Sequence, residues 1–298
     1  MNNRWRHSLK SLSSCVSITL GNTVNSIISL FRMMILSKYS IARKSRRYPE
    51  LRNTEDCIIL ANGPSLKKAF ENGDVRCDGK DVFVVNMFSL SNEFWSIKPR
   101  FYCIIDHGFF APKNDRVKNL ISQLTDALNR VDWCMYLFIS SGATNGGIIT
   151  GLHNENIKII KWNTSTFEGF KGICHFLYRH NMAMPRCQTV TNMALMTAIN
   201  LNYKNIYLYG ADHSWTLDLR VNDNNEVCYG DRHVYATNLN VVKKDCTIGH
   251  LLNQFSKMFD SHWEINDYAI YKNSVIWNCT KSSFIDAYPR LFTNNTKS

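Results

Sequence analysis

From Asp56 onward, short apolar runs alternate with stretches in which apolar residues recur three and four positions apart. Continuous apolar runs bounded by polar residues read as strands buried on both faces; the longer period reads as helix. The strands expected are Cys57–Ala61, Val82–Val85, Phe101–Ile105, Cys134–Ile139, Ile157–Lys161, Asn205–Tyr209 and Val275–Trp277. The helices expected are Ser65–Asn72, Asp115–Val131, Phe167–His180, Thr191–Asn200, Ile248–Tyr271 and Ser283–Leu291. In the long late helix, Leu251, Phe255, Met258, Phe259 and Trp263 form the expected core face. Such alternation predicts an α/β protein with a mostly parallel sheet and helices on both faces. Between Trp215 and Asp245 the periodicity fades among Gly, Asp and Asn, so a long loop or lid over a site is expected at about 215–247.

Residues 1–50 form a different region, ahead of one catalytic-sized domain at 51–298. Ile27, Ile28, Phe31, Met34 and Ile35 recur at helical spacing, in a run broken by Ser, Thr, Asn and Gly. No stretch reaches the roughly 18–20 apolar residues that span a bilayer, and the pattern of a secretory signal is missing. Two readings stay open: a helix at an anionic membrane surface, or a helix packed on the domain.

Charge sharpens the contrast. The chain carries a net +11, yet up to Arg52 it holds ten Lys and Arg residues and a single acid, Glu50. Most of the excess sits in one arm. A nucleic-acid binder more often carries basic stripes across its folded domain, so no nucleic-acid partner is expected. A hydrophobic content of 45% with 20% charged residues excludes disorder as the main state. The ten cysteines include no C-x-x-C pair. Several sit in apolar strand-like runs, where Cys behaves as a small buried hydrophobe, and the set reads as reduced structural thiols of a cytosolic protein. No Cys/His group has zinc-ligand spacing, so no metal is expected.

The candidate chemistry lies at the strand ends. The first strand runs into Asn62-Gly63-Pro64-Ser65, where Gly63 permits close approach of a ligand and Ser65 is a candidate N-cap. Free N–H groups there would favour a phosphate. The motif is neither G-x-G-x-x-G nor a P-loop, and a plain tight turn is the alternative. The next two strands also end in polar residues, at Asn86 and at Asp106-His107. Ligands of open α/β sheets bind outside such carboxyl ends. A later strand runs into Gly210-Ala211-Asp212-His213. Before it, Thr189-Val190-Thr191-Asn192 opens a helix with hydroxyl and amide groups, and His250 stands at the start of the long helix.

The series Ala-Asn-Gly-Pro-Ser-Leu, Thr-rich helix start, Asn-Ile-Tyr-Leu-Tyr-Gly-Ala-Asp and Ile-Gly-His resembles the bacterial sialyltransferases of glycosyltransferase family 42. It is also similar to Rossmann-like transferases of surface-polysaccharide and flagellin-modification clusters. The resemblance spans about residues 55–290. It implies a Rossmann-like, inverting, metal-independent enzyme with no cofactor beyond a nucleotide-sugar donor as co-substrate. Asn62 and Asn86 would then hold the donor nucleotide, and Asp106 would stand where the family has an Asn near the sugar or phosphate; Gly63, Pro64, Ser65 and His107 are the neighbouring candidates for substrate binding. Thr189 and Thr191, beside the position of the family's carboxylate-recognising serine, and Gly210 and His213 would line the substrate site, and Asp212 would take part in catalysis. His250 would be the general base, taking the proton from the acceptor hydroxyl.

Departures from that pattern matter. Ser214 and Arg220 stand nearest the positions where the family has two phosphate-supporting tyrosines; Arg220 can supply charge instead, and Tyr229, Arg232, His233 and Tyr235 follow. The family's carboxylate-recognising serine falls near Val190. The expected donor is therefore a sialic acid or related sugar on CMP or another nucleotide, and the acceptor a bacterial surface glycan, free or lipid-linked. The expected location is the cytoplasm, peripheral on the inner face of the cytoplasmic membrane. There the basic arm would gain about 1 kcal/mol per Lys or Arg. A pyrophosphokinase-like enzyme on the same scaffold and a non-catalytic membrane or nucleic-acid binder are the alternatives. Nothing in the sequence sets an oligomeric state.

Overall fold

The computed structural model describes residues 19–31, 49–231 and 240–292. Its centre is a seven-stranded sheet in which every strand pairing is parallel. The strands are β1 (Asp56–Leu60), β2 (Asp81–Val85), β3 (Phe101–Ile104), β4 (Met135–Ser140), β5 (Ile157–Trp162) and β6 (Asn205–Tyr209). After an excursion through β7 (Arg220–Val221), β8 (Val227–Asp231) and β9 (Asn240–Lys244), the chain returns to add β10 (Val275–Asn278). The spatial order is β10-β6-β1-β2-β3-β4-β5. The chain thus steps outward from β1 to β5, then crosses to the other side of β1 for β6 and β10. That reversal makes a switch point beside β1, where open α/β sheets form their crevices.

The central strands are apolar on both faces because helices cover both. One face packs on α6 (Lys171–Arg179), α7 (Val190–Asn200) and α8 (Ile248–Tyr271). The other packs on α2 (Ser65–Glu71), α3 (Asn92–Ile97), α4 (Asp115–Asn129) and the short α5 (Ile148–Gly151). A further helix, α1, covers residues 19–31. Helix α7 is buried from Val190 to Ile199, as its nearly all-round apolar sequence requires. At the edge, β5 exposes Lys158 and Lys161, charges that discourage pairing with another chain.

All seven strands of the sheet lie where the apolar runs place them, within one residue at each end. Three expectations change. The segment expected as a loop at 215–247 holds a 3-10 turn (Trp215–Asp218) and the antiparallel sheet β7-β8-β9; residues 232–239 lie outside the described residues. Its strands are short, and their alternation is too weak to read against the Asn- and Asp-rich turns. The expected helix Ser283–Leu291 does not form. Two of its carbonyls are taken by a side chain instead: the Arg290 guanidinium donates to the oxygens of Ser283 and Ile285 at 2.8 and 2.7 Å, and to that of Thr280 just before the segment at 3.2 Å. Such side-chain bonds compete with helix formation. Trp263, expected in the core, is exposed and donates to Asp286 at 3.2 Å; Ile265, Tyr268 and Ala269 carry that end of α8 into the core instead.

Candidate functional site

The turns after β1 and β6 pack on each other so tightly that both need glycine. The Gly63 N–H donates to the Gly210 carbonyl at 2.8 Å. A Cβ on Gly63 would lie 2.0 Å from Asp212 Oδ2 and 2.4 Å from the Gly210 oxygen. Gly210 has φ +69°, and a Cβ there would lie 2.5 Å from the Ala61 oxygen. This contact brings Asp212 onto the start of α2. Its carboxylate accepts from the Ser65 hydroxyl at 2.8 Å and from the Ser65 N–H at 3.3 Å. Burial pushes the Asp212 carboxyl upward, partly offset by the Ser65 bonds. Two expectations are corrected here. Ser65 is the first helical residue, and Pro64 occupies the N-cap position. The N–H expected to receive a phosphate already serves an internal carboxylate, which repels an anion.

The strand ends enclose a cavity of about 380 Å³, within the range of small-molecule sites. Its wall includes Asn62, Gly63 and Pro64 after β1, Asn86 after β2, and Asp106 beyond β3. Gly210, Asp212 and His213 contribute from the turn after β6, and Thr189 and Thr191 from the start of α7. Ten of the residues singled out in the sequence thus converge on one cavity at the switch point.

Asn62 and Asn86 form its most unusual feature. Asn62 donates through Nδ2 to the Val85 carbonyl at 3.0 Å. That bond turns its Oδ1 away, and this oxygen is buried without a partner. Asn86 Oδ1 is buried without a partner as well. Asn86 also sits in the left-handed region, at φ +46°. Its backbone is held there by an N–H bond to the Cys103 carbonyl at 3.0 Å and by the Tyr102 hydroxyl, which donates to its carbonyl. Strained backbone and unsatisfied buried acceptors each cost free energy, of order 1–3 kcal/mol apiece. Such costs concentrate where a ligand removes them.

The N-terminus of α7 lines the same cavity. Thr189 and Asn192 make a reciprocal cap: Asn192 N–H donates to Thr189 Oγ1 at 3.4 Å, and Thr189 N–H to Asn192 Oδ1 at 3.0 Å. The Thr189 hydroxyl is therefore committed to the helix. The cap leaves the first amides of α7 and the Thr191 side chain as the groups this helix adds to the wall.

His213, at φ +52°, belongs to a buried relay. Its Nε2 lies 3.1 Å from His262 Nε2, and His262 Nδ1 lies 2.8 Å from the Tyr288 hydroxyl. With Tyr288 donating to His262 and His262 to His213, the His213 Nδ1–H is the donor left over in the relay; the reverse order leaves the Tyr288 O–H instead. Burial lowers the His213 pKa to about 3 and pushes His262 down as well, so both rings are neutral at pH 7.

The remaining candidates lie outside the cavity wall. His107 sits on the exposed 3-10 turn that Asp106 caps through Gly108 N–H at 2.8 Å. Arg220 is exposed on β7. His250 is exposed in the first turn of α8, but two hydrogen bonds join it to the wall. Gln188, which lines the cavity, donates to Gln254 Oε1 at 3.3 Å, and Gln254 Nε2 lies 3.4 Å from His250 Nε2. Sequence reading missed Gln188, Gly230, His262 and Tyr288, and took Trp215 only as the start of a lid. Only proximity in space marks them: Trp215 stacks on Phe255 of α8 at 6.2 Å, and Gly230 brings β8 to the cavity. Of the later candidates, Tyr229 lies on β8, while Arg232, His233 and Tyr235 are outside the described residues.

Cys187 also lines the cavity, but burial pushes its thiol up to about 12, which makes it a poor nucleophile. The nine described cysteines are all free thiols. Among the described residues no three His, Cys, Asp or Glu side chains converge as metal ligands, and the cavity wall contains two carboxylates and no Lys or Arg. Searches find no family model that matches this chain and no match among curated proteins.

Proposed function

We propose that this protein is a nucleotide-sugar-dependent glycosyltransferase of the kind its strand-end motifs resemble, with the donor nucleotide in the cavity at the switch point. The pair of unpartnered acceptors, Asn62 Oδ1 and Asn86 Oδ1, supports this most directly. Two fixed carboxamide oxygens suit the hydroxyls of a ribose or the amino group of a base. The α7 N-terminus suits the donor phosphate. With Asp106 and Asp212 in the wall and no Lys or Arg among its described residues, the cavity suits a donor carrying one phosphate better than a polyphosphate. That favours a CMP-linked sugar.

In the reaction, the acceptor hydroxyl attacks the anomeric carbon and gives its proton to His250, while the bond from that carbon to the phosphate oxygen breaks. Inversion follows from attack opposite the leaving group. His250 works from the cavity's rim, where an acceptor displaces the weak Gln254 contact; His213 donates its Nδ1–H to the bound donor. The acceptor, a surface glycan, approaches from the open side. One observation favours a second reading, a magnesium- and ATP-dependent pyrophosphokinase-like transferase: Asp106 and Asp212 share the cavity.

Nucleotide release from CMP-, UDP- and GDP-sugars, assayed with a chelator present, decides between them. The proposal expects release from one donor class, falling at least about tenfold in Asn62→Ala. Turnover of ATP alone, abolished by the chelator, contradicts it.

A further inference from the structure

Helix α1 is built inside out. At 100° per residue, Asn22, Ser26 and Ser29 lie on one side and Leu20, Val24, Ile27, Ile28 and Phe31 on the opposite side. The polar side is the one that packs on the domain. The Phe170 N–H donates to Ser26 Oγ at 3.1 Å; Ser29 Oγ accepts from the Glu168 N–H and donates to the Glu168 carbonyl, each at 3.1 Å. The fit is close enough to need glycine at 169, where a Cβ would lie 2.1 Å from Ser26 Oγ. The apolar side faces away, with Leu20 65%, Ile27 61% and Phe31 61% exposed. Phe170, beside the docking point, and Trp263 and Ile270, which share a cavity wall with Asn22, are exposed too.

We infer that this face of α1 lies on an anionic lipid bilayer, with the helix in the plane of the interface. A soluble helix hides its apolar stripe; here specific polar contacts hold the stripe outward. Among the described residues no helix is long and apolar enough to cross a membrane, and a helix whose polar side is bonded to the domain can bury only its other side in lipid, so α1 lies along the interface. Charge identifies the covering surface. Arg4, Arg6 and Lys10 precede the helix, Arg32, Lys38, Arg43, Lys44, Arg46 and Arg47 follow it, and no acid occurs before Glu50. A second copy of the chain would bring two such arms together and repel; a surface of anionic headgroups attracts both flanks. Because Ser26 and Ser29 tie α1 to the loop before α6, the membrane fixes the orientation of the whole domain. This inference does not depend on the reaction catalysed.

The test is flotation of the full chain with vesicles of phosphatidylcholine alone or of an equimolar mixture with phosphatidylglycerol, together with light scattering without lipid. The variant is Ile27→Asp/Phe31→Asp, at two exposed positions that leave the serine contacts intact. Binding to the anionic vesicles by the native chain, reduced about tenfold or more in the variant with unchanged thermal melting, is the expected result. Three outcomes overturn the inference: no binding to anionic vesicles; equal binding by the variant, which assigns attachment to the basic arm alone; or a native dimer that the variant converts to monomer, which makes a second copy the cover.

Discussion

At the residue scale, Asn86 carries two costs in one side chain: a left-handed backbone and an unpartnered oxygen. Asn86→Gly separates them, because glycine accepts the backbone and removes the oxygen. Stability is expected to change by less than about 1 kcal/mol in chemical denaturation, while affinity for the donor nucleotide falls at least about tenfold in titration calorimetry. Gly63→Ala has the opposite profile, costing about 3 kcal/mol of stability. Adding Asp212→Ala does not restore it, since the Gly210 carbonyl still obstructs the new Cβ. The buried histidines give a pH signature. His213 binds a proton only near pH 3 when folded but near 6.5 when unfolded. Its contribution to stability is thus complete above about 6.5 and is lost as the pH falls toward 3. His262 acts in the same sense. Glu264, raised to about 7 by burial, acts oppositely, contributing most below 4.5 and losing that contribution as the pH rises through 7. In His262→Gln, denaturation midpoints should therefore decline less than those of the native protein between pH 6.5 and 3.

At the scale of elements, the strands and long helices follow from periodicity because burial on both sheet faces demands unbroken apolar runs, as in Cys57-Ile58-Ile59-Leu60. The same logic finds α8 to the residue. It fails where a single side chain replaces a repeated pattern. Apolar residues in 283–291 suggest a helix, but Arg290 binds the Ser283 and Ile285 carbonyls that a helix would use, and that of Thr280 before them. Arg290→Ala leaves the Ser283 carbonyl without its donor and the carbonyls of Thr280 and Ile285 with one long bond each, from the Ser283 N–H and Asn278 Nδ2. It should lower stability by about 2–3 kcal/mol and speed proteolytic cleavage within 280–292, measurable by limited digestion. The cap of α7 was partly visible as Thr189 three residues before Asn192. Its meaning was not: Thr189 holds the helix, and Thr191 is left for the cavity.

For the whole molecule, strand order decides what the sequence could only propose. Asn62, Asn86, Asp106 and Asp212 were visible as polar strand ends; the order β6-β1-β2-β3 sets them side by side. His262 and Tyr288 gave no such signal, since each is an isolated residue until α8 and the C-terminal segment meet behind His213. Arg220, nearest a family position, and His107, next after Asp106, fall outside the cavity wall. The central claim is that this cavity binds a nucleotide without metal. Thermal stability of the full chain in saturating CMP, UDP, GDP or ATP, with chelator and then with magnesium, tests it most directly, since a ligand at a hundred times its Kd adds about 2.7 kcal/mol. The account predicts stabilisation by CMP in chelator, lost in Asn62→Ala and kept in His250→Ala. Stabilisation by no nucleotide, or only by ATP with magnesium, would contradict it.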